Sequence, residues 1–222
     1  MPQIELLHID CMEFMAGLPD KAFDLAIVDP PYGGDKIFNG SADFAKRKQY
    51  DNVAPSPEYF NELRRVSHNQ VICGGNYFHL PPTRGIVFWY KHVAIPNYSA
   101  GELLWTSFDR PAKCFDYAYT NIMDGNSHRI KVDHPTAKPV ALYQWILRNY
   151  AKPGQRILDT HLGSGSIAVA CDIEGFDLVG CEIDADYFAA GKKRLEQHQS
   201  APRLFAPEPA KVSGQMSMGI PE

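Results

Sequence analysis

The sequence predicts an α/β domain built on a mainly parallel, doubly wound sheet. Short apolar runs bounded by turn or polar residues alternate with segments of helical periodicity. Continuous apolar runs suit strands that are buried on both faces, and their alternation with helices favours parallel crossover connections. Because 222 residues suffice for one sizeable core, we expect a single domain.

The candidate strands are short. The first two are I-E-L-L-H-I at 4–9 and F-D-L-A-I-V at 23–28, and the stretch between them has the length of a short crossover helix. The remaining candidates are the segments 70–73, 85–90, 102–107, 115–120, 156–160 and 177–182.

Helical patterns occur at three places among these strands. At 139–150, Pro139 suits the first helical turn and apolar side chains recur along one face. The segment 165–174 repeats this pattern, and Gly175 supplies a stop. The last segment, 185–198, combines apolar residues with a charged opposite face.

Two segments fall outside the alternation. Residues 33–56 are rich in Gly, Asp, Asn, Lys and Ser, lack periodicity and are long for a connection, which predicts a functional or mobile loop. The tail at 199–222 contains prolines, serines and methionines and is expected to be disordered. The folded domain is therefore expected to span residues 1–198.

Composition and charge exclude several classes of protein. The net charge of −4 argues against an indiscriminate nucleic-acid binder, although local basic patches remain compatible with it. No apolar run approaches the roughly 20 residues of a membrane span, so we expect a cytoplasmic protein without a membrane partner. The five cysteines are odd in number and not closely paired, which favours buried thiols over a zinc site, and no metal is expected.

A glycine-rich turn points to a cofactor. The stretch L-D-T-H-L-G-S-G-S at 158–166 places Gly163 and Gly165 between a strand and a helix, where the backbone can turn sharply and approach a ligand. Glu182, at the end of the next strand, can accept both hydroxyls of a ribose, which indicates an adenosine-containing cofactor. Asp159 favours S-adenosylmethionine, whose ammonium group needs an acid, over a nicotinamide dinucleotide, whose pyrophosphate would use the helix N-terminus.

A second motif lies at another strand end. The stretch D-P-P-Y at 29–32 follows the apolar run 23–28. Together with H-P-T-A-K-P at 134–139 and the glycine-rich turn, in this order, it resembles the motifs of the amino-methyltransferases of DNA. The order, with the catalytic motif first and the cofactor turn last, is similar to the beta group of that family.

This resemblance implies a Rossmann-like, S-adenosylmethionine-dependent methyltransferase fold that is circularly permuted and has a seven-stranded sheet. On that template the strand ending at Glu182 lies beside the strand at 4–9, although the two are at opposite ends of the chain. A small target-recognition region is implied at about 90–133, together with the loop at 33–56. Family members of this order often pair, so a homodimer is one expectation.

The resemblance also assigns cofactor contacts. Asp10 and Cys11 would contact the adenine, Glu182 the ribose, and Lys138 with Thr136 the methionine carboxylate. The full implied set is Asp10, Cys11, Asp29, Thr136, Lys138, Asp159, His161, Gly163, Ser164, Gly165, Glu182 and Ile183. The family's usual turn reads D-P-F-x-G-S-G-T, and the sequence departs from it at Thr160, His161 and Ser166. His161 could lie flat against the cofactor in place of the phenylalanine.

The D-P-P-Y motif implies methyl transfer to an exocyclic amine of a base in double-stranded DNA. Asp29 and the main-chain carbonyl of Pro30 could each accept one amine hydrogen and point the nitrogen lone pair at the methyl group. Pro31 stiffens the turn, and Tyr32 can stack on a base that is rotated out of the duplex. These four residues are the predicted catalytic residues.

The target base is less strongly indicated. Family members that act on cytosine more often carry serine in place of the leading acid, so Asp29 favours the N6 amine of adenine. The N4 amine of cytosine remains an alternative, since the same two acceptors suit either amine. A catalytically idle, methyltransferase-like DNA-binding module is a further alternative.

Overall fold

The computed structural model of the protein describes residues 1–33, 53–92, 99–118 and 137–201, which form a mixed sheet of eight strands with helices on both faces. The strands are β1 (Ile4–His8), β2 (Phe23–Val28), β3 (Ser67–Cys73), β4 (Ile86–Tyr90), β5 (Gly101–Thr106), β6 (Lys113–Asp116), β7 (Arg156–Asp159) and β8 (Asp177–Glu182). The helices are α1 (Cys11–Ala16), α2 (Pro57–Val66), α3 (Val140–Tyr150), α4 (Ser166–Glu174) and α5 (Ala185–Ser200), and Gly75–Tyr77 forms a 3₁₀ turn.

The sheet has the strand order β1-β8-β7-β2-β3-β5-β4-β6. Its first five strands run parallel, β5 is antiparallel to both β3 and β4, and β6 is parallel to β4. The α/β class and the mainly parallel sheet are therefore confirmed. The sheet has one strand more than the expected seven, because β6 extends the edge beyond β4.

Strands from the two ends of the sequence lie side by side. β1 pairs with β8, with Leu6 opposite Gly180 and His8 opposite Glu182. This confirms the expected neighbourhood of the first strand and the strand that ends at Glu182. Because the two strands are parallel, their carboxyl ends reach the same edge of the sheet.

The sheet separates two apolar cores. Along β2, Leu25 and Ile27 belong to the core shared with α3 and α4, whereas Ala26 and Val28 belong to the core shared with α1 and α2. All four side chains are at most 1% exposed, because helices cover both faces of this strand. The continuous apolar run is thus explained by burial on both faces.

Three predicted helices are confirmed with small shifts of their ends. α3 begins directly after Pro139, and α5 extends two residues beyond the predicted end at 198. α4 ends at Gly175, whose φ of 78° lies in the left-handed region that favours glycine. α2 was not predicted, although Tyr59, Phe60, Leu63 and Val66 have helical spacing and are buried.

Several sequence predictions lie outside the described residues. They concern most of the loop at 33–56, part of the region at 90–133, nearly all of the tail at 199–222, and the residues His134 and Thr136. No helix in the described part of the chain is long and apolar enough to cross a membrane.

One substitution tests the buried sheet. Ile157 on β7 is fully buried, and Ile157→Ala is expected to lower the free energy of unfolding by about 2–5 kcal/mol, because it removes buried methyl groups and leaves a cavity. Lys152→Ala, at an exposed position nearby, is the control and should stay within about 0.5 kcal/mol. Urea unfolding of both variants measures the difference, and equal stabilities would contradict the packing described.

Candidate functional site

The predicted site residues gather at the carboxyl edge of the parallel strands. Asp29 follows β2, Asp159 ends β7, Glu182 ends β8 and Asp10 follows β1. These four strands are neighbours in the sheet. In open α/β sheets, ligands bind at this edge, so the fold brings together acids that are far apart in the sequence.

The glycine-rich turn has the backbone that its residues predict. Gly163 and Gly165 have φ values of 49° and 70°, in the left-handed region. A Cβ on Gly165 would lie 3.0 Å from the Cα and the carbonyl oxygen of Gly191 on α5. Glycine is therefore needed at Gly165 both for the turn and for the close approach of α5.

Glu182 holds this turn against β8. Its Oε2 accepts a hydrogen bond from the backbone N–H of Gly163 at 2.8 Å, and its Oε1 accepts one from the N–H of Asp184 at 2.9 Å. Burial raises the pKa of the Glu182 carboxyl, which these two hydrogen bonds oppose. Since each carboxylate oxygen has two acceptor positions, Glu182 can still accept hydroxyl groups of a ligand.

Asp159 is a deeply buried acid, 1% exposed. Its Oδ1 accepts a hydrogen bond from the backbone N–H of His161 at 3.0 Å, and its Oδ2 accepts none from the described residues. Burial raises the pKa of Asp159 to about 8. A cationic ligand group beside Oδ2 would favour the ionised form, so this acid fits an ammonium group.

Asp10 serves as the N-cap of α1. Its Oδ1 accepts hydrogen bonds from the backbone N–H groups of Met12 and Glu13, at 2.8 and 3.1 Å. Its Oδ2 accepts none from the described residues and is available to an amine. Burial raises the pKa of the neighbouring Cys11 thiol to about 12, so Cys11 offers a neutral contact. Ile183, beside Glu182, is 55% exposed and can provide apolar surface.

His161 and the serines complete the turn. Burial lowers the pKa of His161 to about 4, so its ring is neutral at pH 7. Its Nδ1 lies 3.0 Å from Oγ1 of Thr160, which also lies 2.6 Å from the hydroxyl of Tyr59 on α2. The Oγ atoms of Ser164 and Ser166 are 3.0 Å apart. Tyr59 was not predicted for the site, because α2 itself was missed.

Asp29 accepts three hydrogen bonds from side chains. Lys138 Nζ donates to its Oδ1 at 2.9 Å and to its Oδ2 at 2.7 Å, and the Tyr32 hydroxyl donates to Oδ1 at 2.9 Å. The sequence did not predict that Lys138 binds the acid of the D-P-P-Y motif, since the resemblance placed it at the methionine carboxylate. Oδ2 keeps an acceptor position for a further donor.

Aromatic rings surround Tyr32. Its ring stacks on Tyr77, with centroids 4.8 Å apart and planes 15° apart, and the ring of Phe78 approaches edge-on. A Cβ on Gly74 would lie 2.3 Å from the Tyr32 ring. Tyr77 is 38% exposed, so an aromatic surface beside Tyr32 is accessible to a base.

Glu102 on β5 is a site residue that was not predicted from the sequence. Its Oε2 lies 3.3 Å from Lys138 Nζ and 3.4 Å from the Tyr32 hydroxyl, and its Oε1 pairs with Lys91. Burial opposes ionisation of Glu102, but Lys138 and Lys91 outweigh it and lower the pKa. The available signal was a charged residue within the otherwise apolar strand E-L-L-W-T.

The aromatic residues of β4 and β5 divide between the core and the surface. Trp89 and Trp105 are 0% and 9% exposed, and the Trp89 indole N–H donates to the Tyr117 carbonyl at 2.9 Å. Tyr90 is 38% exposed. Alternation along β4 explains the difference, because Phe88 and Tyr90 share the more exposed face of this strand.

Comparisons with known proteins find similar sequences among DNA methylases. Residues 89–193 match a family model described as DNA methylase, N6_N4_Mtase. The type II methyltransferase M2.DpnII of Streptococcus pneumoniae is 23% identical over 239 residues, which cover 86% of this chain and 89% of the relative. These matches support a relationship to the N6/N4 DNA methylases.

Solved structures share the fold. A complex of M1.HpyAVI with SAM is similar with a TM-score of 0.56 and 20% identity, covering 87% of this chain and all of that one. The cytosine-N4-specific PvuII DNA methyltransferase is similar with a TM-score of 0.57 and 13% identity, covering 93% of this chain and 89% of that one. The chain thus has the fold of S-adenosylmethionine-dependent DNA methyltransferases.

Two glycines provide a matched test of the turn. Gly165→Ala is expected to destabilise the protein by about 2–4 kcal/mol, because it adds a clash with Gly191 to an unfavourable φ. At Gly175 the φ is a similar 78°, but an added Cβ would have no atom of another described segment within 4 Å. Gly175→Ala should therefore lower the free energy of unfolding by only about 1–2 kcal/mol. Thermal unfolding of both variants measures the difference, and equal losses would contradict the close packing of α5.

The acid before the turn gives a pH-dependent prediction. Because the pKa of folded Asp159 is raised to about 8, the folded state binds a proton that the unfolded state has lost, and this contribution to stability is lost as pH rises from about 4 to about 8. Asp159→Asn lacks this contribution. Urea titrations between pH 5 and 8 should show the variant gaining stability relative to the wild type as pH rises. A constant difference would contradict the raised pKa.

Proposed function

We propose that the protein transfers a methyl group from S-adenosylmethionine to the exocyclic N6 amine of adenine in double-stranded DNA. The observation that carries the proposal is the position of Asp29 at the same sheet edge as Asp10, Asp159 and Glu182. An acceptor for an amine and a set of cofactor acids then lie on neighbouring strands of one site. The similarity to DNA methylases supports this choice of chemistry.

The residues fit the cofactor. Glu182 would accept the ribose hydroxyls, Asp10 Oδ2 the adenine amine, and Asp159 Oδ2 the methionine ammonium. Gly163 and Gly165 leave room for close approach of the backbone, and His161, Ser164 and Ile183 would line the turn. When bound, S-adenosylmethionine supplies an electrophilic methyl group on a positively charged sulfur.

The protein's task is to orient the amine. Asp29 Oδ2 would accept one amine hydrogen and the Pro30 carbonyl the other, so that the nitrogen lone pair faces the methyl carbon in line with the C–S bond. Bound S-adenosylmethionine would supply the methyl carbon for the new N–C bond, and the electrons of the broken C–S bond would stay with its sulfur. The nitrogen then loses one proton, which Asp29 can accept and release to water.

The base must leave the duplex to reach this site. Rotating it out costs about a few kcal/mol, and stacking on an aromatic side chain offsets this by about 1–3 kcal/mol. In the arrangement described, Tyr77 already stacks on Tyr32. We propose that Tyr32 and Tyr77 together form the aromatic surface for the base. The permuted origin of the fold, the recognition region at about 90–133 and a homodimer remain predictions.

Methylation of the cytosine N4 amine is the second candidate. It is favoured by the fold similarity to the cytosine-N4-specific PvuII enzyme. The two amines present the same two hydrogens, and the leading acid Asp29 is our reason for preferring adenine. Nuclease digestion of methylated duplex DNA followed by mass spectrometry should yield N6-methyladenine, and N4-methylcytosine alone would show that the base is wrongly assigned.

The role of Asp29 has a direct test. Asp29→Ala removes an acceptor of the amine hydrogens and should lower transfer of labelled methyl groups to DNA by about a hundred- to a thousandfold or more, with cofactor affinity largely kept. Asp20→Asn is the control. It alters an exposed acid that pairs with Arg65, and it should retain full activity. Full activity in Asp29→Ala would exclude the mechanism.

A further inference from the structure

The site contains a charge that the proposed reaction does not need for amine binding. Lys138 Nζ lies within 3.0 Å of Asp29 and of the Tyr32 hydroxyl, and its side chain is 5% exposed. A buried ammonium group at this place would oppose the positive charge that develops on the amine nitrogen and the one carried by the sulfonium. An ion pair between Lys138 and Asp29 alone would therefore weaken the field that favours transfer.

Glu102 changes this balance. Its carboxylate shares Lys138 with Asp29, at 3.3 Å, and its side chain is 19% exposed. Two carboxylates around one ammonium group leave the inner cluster of Asp29, Glu102 and Lys138 with one net negative charge, and Lys91 brings the four groups together to neutrality. Without Glu102 the remaining three groups would carry one net positive charge. Lys91 contacts the other oxygen of Glu102, whose Oε2 faces Lys138 and Tyr32.

We propose that Glu102 is a positioning residue for methyl transfer, which offsets the charge of Lys138 so that Asp29 presents a net negative field to the amine and the methyl donor. This inference rests on the proposed function and adds to it a residue of β5, outside the D-P-P-Y motif and the glycine-rich turn. Lys138 and Tyr32 fix the orientation of the Asp29 carboxylate, and Glu102 restores the charge that Lys138 cancels. Glu102 acts through Lys138 and has no role as a proton acceptor for the substrate.

Substitution of Glu102 separates charge from shape. Glu102→Gln keeps the size of the side chain and is expected to lower kcat on duplex DNA by about ten- to a hundredfold. Glu102→Asp keeps the charge and should retain more activity than Glu102→Gln. Glu62→Gln, which alters a carboxylate paired with Arg65 on α2, is the matched control and should leave kcat unchanged. Wild-type kcat in Glu102→Gln, or equal losses in the Asp and Gln variants, would overturn the proposal.

A double variant distinguishes a loss of kcat caused by the missing charge from one caused by lower stability. Glu102→Gln leaves Lys91 and Lys138 without their shared carboxylate and can lower the melting temperature. Lys91→Met in the same chain removes one of these charges and should restore much of the stability. The inner cluster still lacks the Glu102 charge, so kcat of the double variant should stay low. Recovery of kcat together with the melting temperature would show a purely structural role and overturn the proposal.

An equilibrium measurement tests the field without turnover. S-adenosylmethionine has a positively charged sulfur, whereas S-adenosylhomocysteine has a neutral one. In Glu102→Gln the ratio of the two dissociation constants, Kd for S-adenosylmethionine over Kd for S-adenosylhomocysteine, should rise at least about threefold by calorimetry. An unchanged ratio would overturn the proposal. If the wild type binds both ligands but methylates no DNA, the proposed function fails, and this ratio still tests the field of Glu102.

Discussion

The interaction on which the site depends is the contact of Lys138 with two acids. Asp29 comes from the end of β2, Glu102 from β5 and Lys138 from the segment before α3, so one ammonium group joins three parts of the chain. Removing any buried member of such a cluster leaves an uncompensated charge, which is far more costly than the loss of a surface ion pair. The D-P-P-Y turn therefore has one orientation, which this cluster and the ring of Tyr77 determine.

The residues predicted to bind the cofactor are held in place by hydrogen bonds to the backbone. Glu182 binds the backbone of the glycine-rich turn, and Gly165 lets α5 approach that turn closely. Asp10 caps α1 with one oxygen, and Asp159 binds a backbone N–H with one oxygen. Each of these acids thus has a structural bond and a remaining acceptor position, so the groups that would hold a cofactor are already fixed by the fold.

Much of this was predictable from the sequence, for identifiable reasons. Buried parallel strands appear as continuous apolar runs, which indicated β1, β2, β7 and β8, and glycines with left-handed φ marked the turn and the end of α4. The motif order indicated that β1 and β8 are neighbours, and their pairing confirms it.

What escaped prediction depends on contacts between distant segments. The contacts of Lys138 with Asp29 and Glu102 form only when β5 and the segment before α3 pack against the end of β2. No local sequence pattern indicates that these three segments are in contact. α2 was missed for another reason, because its helical spacing lay next to an irregular segment. The strand at 115–120 was predicted, but β6 begins two residues earlier, at Lys113, and ends at Asp116.

Single-molecule sequencing of DNA from cells that express the protein measures whether this site methylates adenine. This measurement reports the modified base and its sequence context together. We expect N6-methyladenine within a defined sequence context in cells with the wild-type protein, and none in cells with Asp29→Ala. Unmodified DNA in the presence of folded, cofactor-binding protein, or modification only at cytosine N4, would contradict this expectation.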